Sequence, residues 1–245
     1  VRAGLRLLGF LFHILYTRLK LFIAKYFQGN TAKRMAEIRK SWAKEMCALL
    51  GFKITTEGEL PEEGTYLYVS NHRSSLDPLV PLAFVESFPI AKAEVEHYFL
   101  VGRGAAISGV IFVKKKDKNS RGATKEAIYE ALKSGKSIVI YPEGHTNVET
   151  LTDRFNKGSF EKAAQAGVPV VPLAIEYEDT RDNWDHSQGL LGHYFSRFGK
   201  RRTNIKMAFG QPLKSDDTFE LLNKSQKWIN DKILVLRKEW EEEVN

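Results

Sequence analysis

The run Thr65-Tyr66-Leu67-Tyr68-Val69-Ser70 leads without a break into Asn71-His72-Arg73-Ser74-Ser75-Leu76-Asp77-Pro78. The first six residues have the aromatic and β-branched composition of a strand. Ser74 or Ser75 can cap a helix just beyond, and Pro78 suits its first turn, so the stretch reads as strand, sharp turn, helix. The same alternation runs outward from it. Phe52–Thr56, Tyr66–Ser70, Pro89–Ala93, Val110–Lys114, Ser137–Tyr141, Val168–Glu176 and Asn204–Phe209 read as strands. Asp77–Val85, Ser120–Ser134 and Phe160–Ala166 read as helices, with Gly135 and Gly167 as stops, and Asp217–Glu243 as one or two amphipathic helices. This pattern predicts an α/β domain over residues 51–245, a mixed, largely parallel sheet flanked by helices. In such sheets chemistry gathers at loops leaving the carboxyl ends of strands.

Within the turn, His72 and Asp77 stand five residues apart. On a straight helix that spacing separates them by about 140°, whereas a strand-to-helix turn can bring them together. A carboxylate on one imidazole nitrogen would set the tautomer and stabilise imidazolium, leaving the other nitrogen to remove a proton. From spacing alone, a surface turn with incidental His and Asp is the favoured reading. Ser74 and Ser75 beside His72 raise a covalent serine route, but no G-x-S-x-G elbow occurs. Gly102-Arg103-Gly104 is a poor dinucleotide loop, with its third glycine misplaced and no strand directly before it.

Hydrophobic content of 43% with 18 Gly and 8 Pro in 245 residues marks a globular chain. A single cysteine, Cys47, rules out an internal disulfide and any multi-Cys metal site. The six His form no H-x-x-x-H pair, so a zinc site has no support. Residues 1–50 hold ten Lys and Arg against two Glu, a net +8 that exceeds the whole-chain +7, so the remainder is close to neutral. A nucleic-acid-binding protein would spread basic residues around a groove. A basic, apolar end beside a neutral domain points to an anionic membrane surface, on the cytoplasmic face of the cell membrane.

That end reads as a two-helix membrane-attachment motif over residues 1–50. Leu5 to Phe27 is apolar but interrupted by Arg6, His13, Arg18, Lys20 and Lys25, and its longest stretch free of Arg and Lys, Leu7 to Thr17, has 11 residues. Spanning a bilayer core takes roughly 20 apolar residues. On a helix, Arg2, Arg6, His13 and Lys20 form one stripe, and Arg18 and Lys25 a second one opposite, able to snorkel. Gly29-Asn30 breaks this helix, Asn30 or Thr31 caps the next, and Met35, Ile38, Trp42, Met46 and Leu49 give that one its apolar face. A signal peptide fails for want of a small-residue cleavage site. A tilted spanning helix and a buried core pair stay open beside partial immersion in one leaflet.

Three further blocks follow the turn in order: Gly109-Val110-Ile111-Phe112-Val113-Lys114-Lys115; Tyr141-Pro142-Glu143-Gly144-His145-Thr146-Asn147, with Arg154-Phe155-Asn156-Lys157-Gly158 shortly after; and Val168-Pro169-Val170-Val171-Pro172-Leu173. Together the four resemble the ordered blocks of the glycerolipid acyltransferase family, 1-acylglycerol-3-phosphate acyltransferases in particular, over about half the chain. The resemblance implies His72 as general base and Asp77 as its partner, with Glu143 and Gly144 binding the acceptor glycerol phosphate. It also implies a phosphate-binding cation after the second-block strand, here Lys114 or Lys115. Lys92, in Lys92-Ala93-Glu94-Val95, is similar to the family's Lys-x-Glu-Leu and is implied near the reacting carbonyl. Two departures stand out. Lys replaces the second block's usual Arg, losing the bidentate fork, and His145-Thr146-Asn147 replaces the usual Thr-Arg-Ser, leaving Arg154 or Lys157 to substitute. The implied partners are membrane lipids, lysophosphatidic acid and acyl-CoA or acyl-carrier protein; no cofactor is required. Acylation of glycerol 3-phosphate or another lysophospholipid, a His-Asp hydrolase, and a non-catalytic lipid-binding module are the rival readings.

Overall fold

The computed structural model describes residues 1–27, 32–92, 109–113, 120–184 and 189–244. The first two helices are α1 (Arg2–Phe27) and α2 (Ala32–Leu50). There follow β1 (Phe52–Glu57), β2 (Leu67–Ser70), α3 (Leu79–Leu82), β3 (Phe88–Lys92), β4 (Ile111–Val113), α4 (Ser120–Lys133), β5 (Ile138–Ile140), α5 (Gly158–Ala166), β6 (Val170–Tyr177), α6 (Gly189–Gly199), β7 (Thr203–Phe209) and α7 (Thr218–Val244). The strands form one seven-stranded sheet in the order β1-β7-β6-β2-β5-β3-β4. Every neighbouring pair is parallel except β6 and β7. The mixed, largely parallel α/β architecture expected from the alternation is the one observed.

Both faces of the central strands are covered, and all eight residues of β6 are buried. Leu67, Val69, Ile138, Val170, Ala174 and Ala208 face one layer, with Ile128 of α4, Phe160 of α5 and Leu221, Ile229, Ile233 and Leu236 of α7. Tyr68, Val139, Val171, Leu173, Ile175, Tyr177, Ile205 and Met207 face the other, with Val80 and Val85. A third cluster joins the N-terminal helices to the domain: Phe10 and Ile14 of α1, Trp42, Met46 and Leu50 of α2, Leu79 and Leu82 of α3, and Tyr194 and Phe198 of α6. The apolar stripe expected for α2 centres on Trp42 and Met46 as read. Gly51, at φ +76°, ends α2 where an added Cβ would lie 2.6 Å from the Arg201 carbonyl, so only glycine lets β1 enter there.

One element differs from expectation. The helix expected over Asp77–Val85 contracts to Leu79–Leu82, with turns on either side; Pro81 lacks the N–H that would bond the Asp77 carbonyl in a helix starting there. Asp217–Glu243 is one helix, α7. The expected break at Gly29-Asn30, the Asn30 or Thr31 cap, and Gly102-Arg103-Gly104 lie outside the described residues.

Candidate active site

Strands β2, β5, β3 and β4 run parallel and adjacent, so their carboxyl ends share one edge of the sheet. That edge carries the turn after β2 with His72, the loop after β5 with Glu143, and Lys92 as the last residue of β3, in register with Val113 of β4. Lys114 and Lys115 follow Val113 directly but lie outside the described residues, and of Lys92 only the strand position is described.

The turn brings His72 and Asp77 together, with His72 Nδ1 2.8 Å from Asp77 Oδ2. Asp77 is fully buried. The same Oδ2 accepts the backbone N–H groups of Arg73 at 2.6 Å and Ser74 at 2.7 Å, and Oδ1 accepts the Tyr177 hydroxyl at 2.7 Å. A buried carboxylate that accepts from three donors beside His72 is held in one orientation. Nδ1 of His72 must then carry its proton toward Asp77, and Nε2 is the acceptor; among the described residues no hydrogen bond to Nε2 is seen. The His72 ring stacks on Tyr141 at 4.2 Å between centroids. Burial, and after it the Asp77 charge, push the phenols of both Tyr141 and Tyr177 well above their ordinary range, so both stay neutral.

Glu143 is nearly buried and serves the framework. Its Oε1 accepts the His72 backbone N–H at 2.9 Å, while Oε2 accepts Asp153 N–H at 2.9 Å and Asn147 Nδ2 at 3.0 Å. Asn147 N–H in turn donates to His72 O at 2.8 Å. The resemblance gives Glu143 to the acceptor; the geometry gives its oxygens to the two loops that shape the site. Gly144 sits at φ +81°, the left-handed backbone that makes glycine the residue of choice there.

Arg73, beside His72 in sequence, points the other way. It is 1% exposed, lies 3.5 Å from Glu176 through Nε, and donates to the carbonyls of Asn147, Glu149 and Thr150. Asn71 is locked by two 2.8 Å bonds to the Ile175 backbone. Both sides of His72 are thus anchored to β6 and to the loop after β5.

The structure does not bring every expected residue to His72. Arg154 and Lys157 line a cavity of about 420 Å³ with Asn156, Phe219 and Gln226, whose walls include neither His72 nor Asp77. Their loop is tied to the site through Asp153 and by Asn156, whose backbone N–H and Nδ2 donate to Pro142 O at 2.9 and 2.8 Å. In α1, Arg2 and Arg6 turn inward: Arg2 donates to Gly199 O, and Arg6 to the carbonyls of Phe198, Lys200 and Arg201. His13 meets Glu45 of α2 at 3.2 Å. Of the first basic stripe, Arg2 and Arg6 therefore clasp the domain and His13 meets α2. Lys20 and Lys25 lie over Tyr16 and Tyr26, on the more open half with Arg18. The outward face of α1 is apolar: Leu5, Leu8, Phe12, Leu15, Leu19 and Phe22 are all more than half exposed. The helix is long and apolar enough to cross a membrane by length and composition, while Phe10, Ile14 and Ala24 are buried against the protein.

The sequence reading missed Tyr177, which closes on Asp77 from 100 residues away, and α6 with its buried His193. Leu191, Tyr194, Phe195 and Phe198 in α6 do carry helical spacing, but within only 11 residues holding three glycines. Among the described residues, no group of three His, Cys, Asp or Glu is placed to hold a metal ion.

The family model described as Acyltransferase matches residues 51–176. A lyso-ornithine lipid O-acyltransferase of Pseudomonas aeruginosa is 29% identical over 200 residues, covering 77% of this chain and 75% of its own. A chloroplastic 1-acyl-sn-glycerol-3-phosphate acyltransferase of Arabidopsis thaliana is 30% identical over 196 residues, covering 78% of this chain and 52% of its own, so the present chain spans about half the length of that relative. The crystal structure of a 1-acyl-sn-glycerophosphate acyltransferase from Thermotoga maritima aligns with a TM-score of 0.66 at 19% identity, over 95% of this chain and 98% of the other, and shows the same fold.

Proposed function

The chain belongs to the Acyltransferase family, and we propose that it moves a fatty acyl group from acyl-CoA or acyl-carrier protein to the sn-2 hydroxyl of 1-acylglycerol 3-phosphate, giving phosphatidic acid. The observation that carries this reading is the buried Asp77, held by three donors, on His72 Nδ1, beside relatives named for that acceptor. His72 Nε2 takes the proton of the acceptor hydroxyl as its oxygen attacks the thioester carbonyl, and Asp77 stabilises the imidazolium that forms. Collapse of the tetrahedral intermediate breaks the carbon–sulfur bond, and the leaving thiolate takes the proton back from Nε2. A thioester is already activated, so positioning, a base and stabilisation of the carbonyl oxygen suffice. Lys92, which ends β3, and Lys114 or Lys115, which follow β4 in the sequence, are the cations we assign to carbonyl and phosphate, with Arg154 and Lys157 as further candidates for the phosphate.

The lysolipid acceptor and the phosphatidic acid product live in a bilayer, and α1 supplies the attachment. Its exposed stripe from Leu5 to Phe22 enters one leaflet, Arg18, Lys20 and Lys25 meet anionic headgroups, and Arg2 and Arg6 hold the helix to the domain, on the cytoplasmic face.

One observation favours a second acceptor. The third block has no arginine, and its Asn147 is spent inside the protein, while the relative from Pseudomonas aeruginosa, covered over 75% of its length, is named for a lyso-ornithine lipid. Acyl transfer measured in mixed micelles with lysophosphatidic acid, glycerol 3-phosphate, lysophosphatidylcholine and a lyso-ornithine lipid decides between them. The phosphate reading expects lysophosphatidic acid to be acylated fastest; preference for the ornithine lipid overturns it.

A further inference from the structure

Behind Asp77, away from His72, the Ser74 hydroxyl meets His193 of α6, with Nε2 3.1 Å from Oγ and both residues 1% exposed. The His193 ring stacks on Trp184 at 5.5 Å and 28°, and the Trp184 N–H donates to the Arg73 carbonyl at 2.7 Å. The ring is thus tied twice to the turn that carries the catalytic pair, from 119 residues away. Ser74 also acts on the Tyr177 phenol, where its side-chain hydrogen-bonding influence opposes the upward push of burial, and that phenol donates to Asp77 Oδ1 at 2.7 Å.

Counting protons gives this cluster a direction. Asp77 only accepts, so the Tyr177 O–H points at it, and the phenolic oxygen is left to accept from Ser74. With its own proton spent there, Ser74 Oγ accepts from Leu76 N–H at 3.3 Å and from His193. His193 must therefore be the tautomer with hydrogen on Nε2. Burial, opposed by the Asp77 charge, lowers its pKa to about 4, which keeps the ring neutral. The resulting chain, His193 to Ser74 to Tyr177 to Asp77, has every bond donating toward the carboxylate, the arrangement in which successive bonds strengthen one another. The far end of α6 is held by Arg6 from α1 through the Phe198 and Lys200 carbonyls.

We propose that His193 is a positioning residue for acyl transfer, its Nε2–H orienting Ser74 and, through Ser74 and Tyr177, fixing the carboxylate that supports His72. This rests on the His72–Asp77 reading above. Without that donor the Ser74 hydroxyl is free to turn, Tyr177 loses its partner, and Asp77 gains freedom to rotate off Nδ1. Ser74 and His193 are both buried from any approaching substrate, so the cost falls on turnover and spares binding.

The test uses the full chain with lysophosphatidic acid and an acyl-CoA in micelles. His193→Phe keeps the stack on Trp184 and removes the donor; His193→Gln restores an N–H at a similar reach; Ser74→Ala breaks the same chain while leaving His193 intact. Expected is a roughly tenfold fall in kcat for His193→Phe and Ser74→Ala, no further fall when they are combined, KM values within about twofold, and recovery of most of the rate in His193→Gln. Parental kcat in either Phe or Ala variant, or a Gln variant as slow as Phe, overturns the proposal. His72→Ala is run alongside: if it turns over normally the His72–Asp77 reading itself falls, whereas an inert His72→Ala beside a normal His193→Phe removes this inference alone.

Discussion

Replacing Asp77 by Asn isolates the charge from the geometry. The asparagine oxygen can occupy the Oδ2 site and keep the N–H bonds from His72, Arg73 and Ser74, while its amide turns to the Tyr177 hydroxyl, which can accept as well as donate. The turn should therefore survive with the imidazole in the same tautomer, and what disappears is a negative charge beside the imidazolium of the transition state. Two unit charges centred about 4 Å apart at an effective dielectric near 20 interact by about 4 kcal/mol. At 1.36 kcal/mol per decade this predicts a loss of about 10³-fold in kcat. Initial rates with labelled acyl-CoA, on protein whose thermal unfolding stays cooperative, give the number. A folded Asp77→Asn enzyme within tenfold of the parent, or a loss confined to KM, refutes the electrostatic role assigned to this carboxylate.

Glu143→Gln sets an amide N–H against the backbone donors of His72 or Asp153; it should cost about 1–3 kcal/mol of stability and lower kcat more than it raises KM for the acceptor, read by thermal melts and kinetics together. A pure acceptor KM effect would return Glu143 to substrate binding. Phe12→Glu with Leu15→Glu, on the outward face of α1, should abolish flotation with anionic vesicles while leaving the melting temperature unchanged, since each apolar side chain immersed is worth about 1.5–3 kcal/mol; unchanged flotation contradicts the one-leaflet docking. His193, neutral when folded with its pKa lowered to about 4, binds a proton more weakly folded than unfolded. Its contribution to stability is full above about pH 6.5 and is lost as pH falls toward 4. His193→Phe should therefore flatten the acid side of the melting-temperature profile.

What the sequence made legible follows from the range of each signal. Strand and helix periodicity is local, so the elements before and after His72 could be placed from composition alone. The convergence of His72 with Asp77 needed only a turn of eight residues whose serines and proline are themselves turn formers. Tyr177 was out of reach because its approach to Asp77 depends on β6 lying next to β2, a pairing of Val170–Leu173 with Leu67–Ser70 that periodicity does not encode. The helix α6 was lost because its glycines at 189, 192 and 199 mask an apolar spacing of 11 residues. The basic stripe of Arg2, Arg6, His13 and Lys20 was visible, but charge spacing on one helix carries no information about which neighbour each member meets. For Arg2, Arg6 and His13 that neighbour is the carboxyl end of α6 and Glu45 of α2, so the outward side of α1 is its apolar stripe. For Glu143 the block resemblance supplied a position and the structure supplied the partners.

The central claim is that His72 Nε2 removes the acceptor proton. Purified His72→Ala protein, shown to be folded by its melting transition, is mixed with labelled acyl-CoA and lysophosphatidic acid, and phosphatidic acid and free fatty acid are counted together. The account predicts that the parent places the label on lipid and that His72→Ala slows by about 10²–10⁴-fold. Near-parental formation of phosphatidic acid by the folded variant, or label appearing in the parent as free acid instead of lipid, would contradict it.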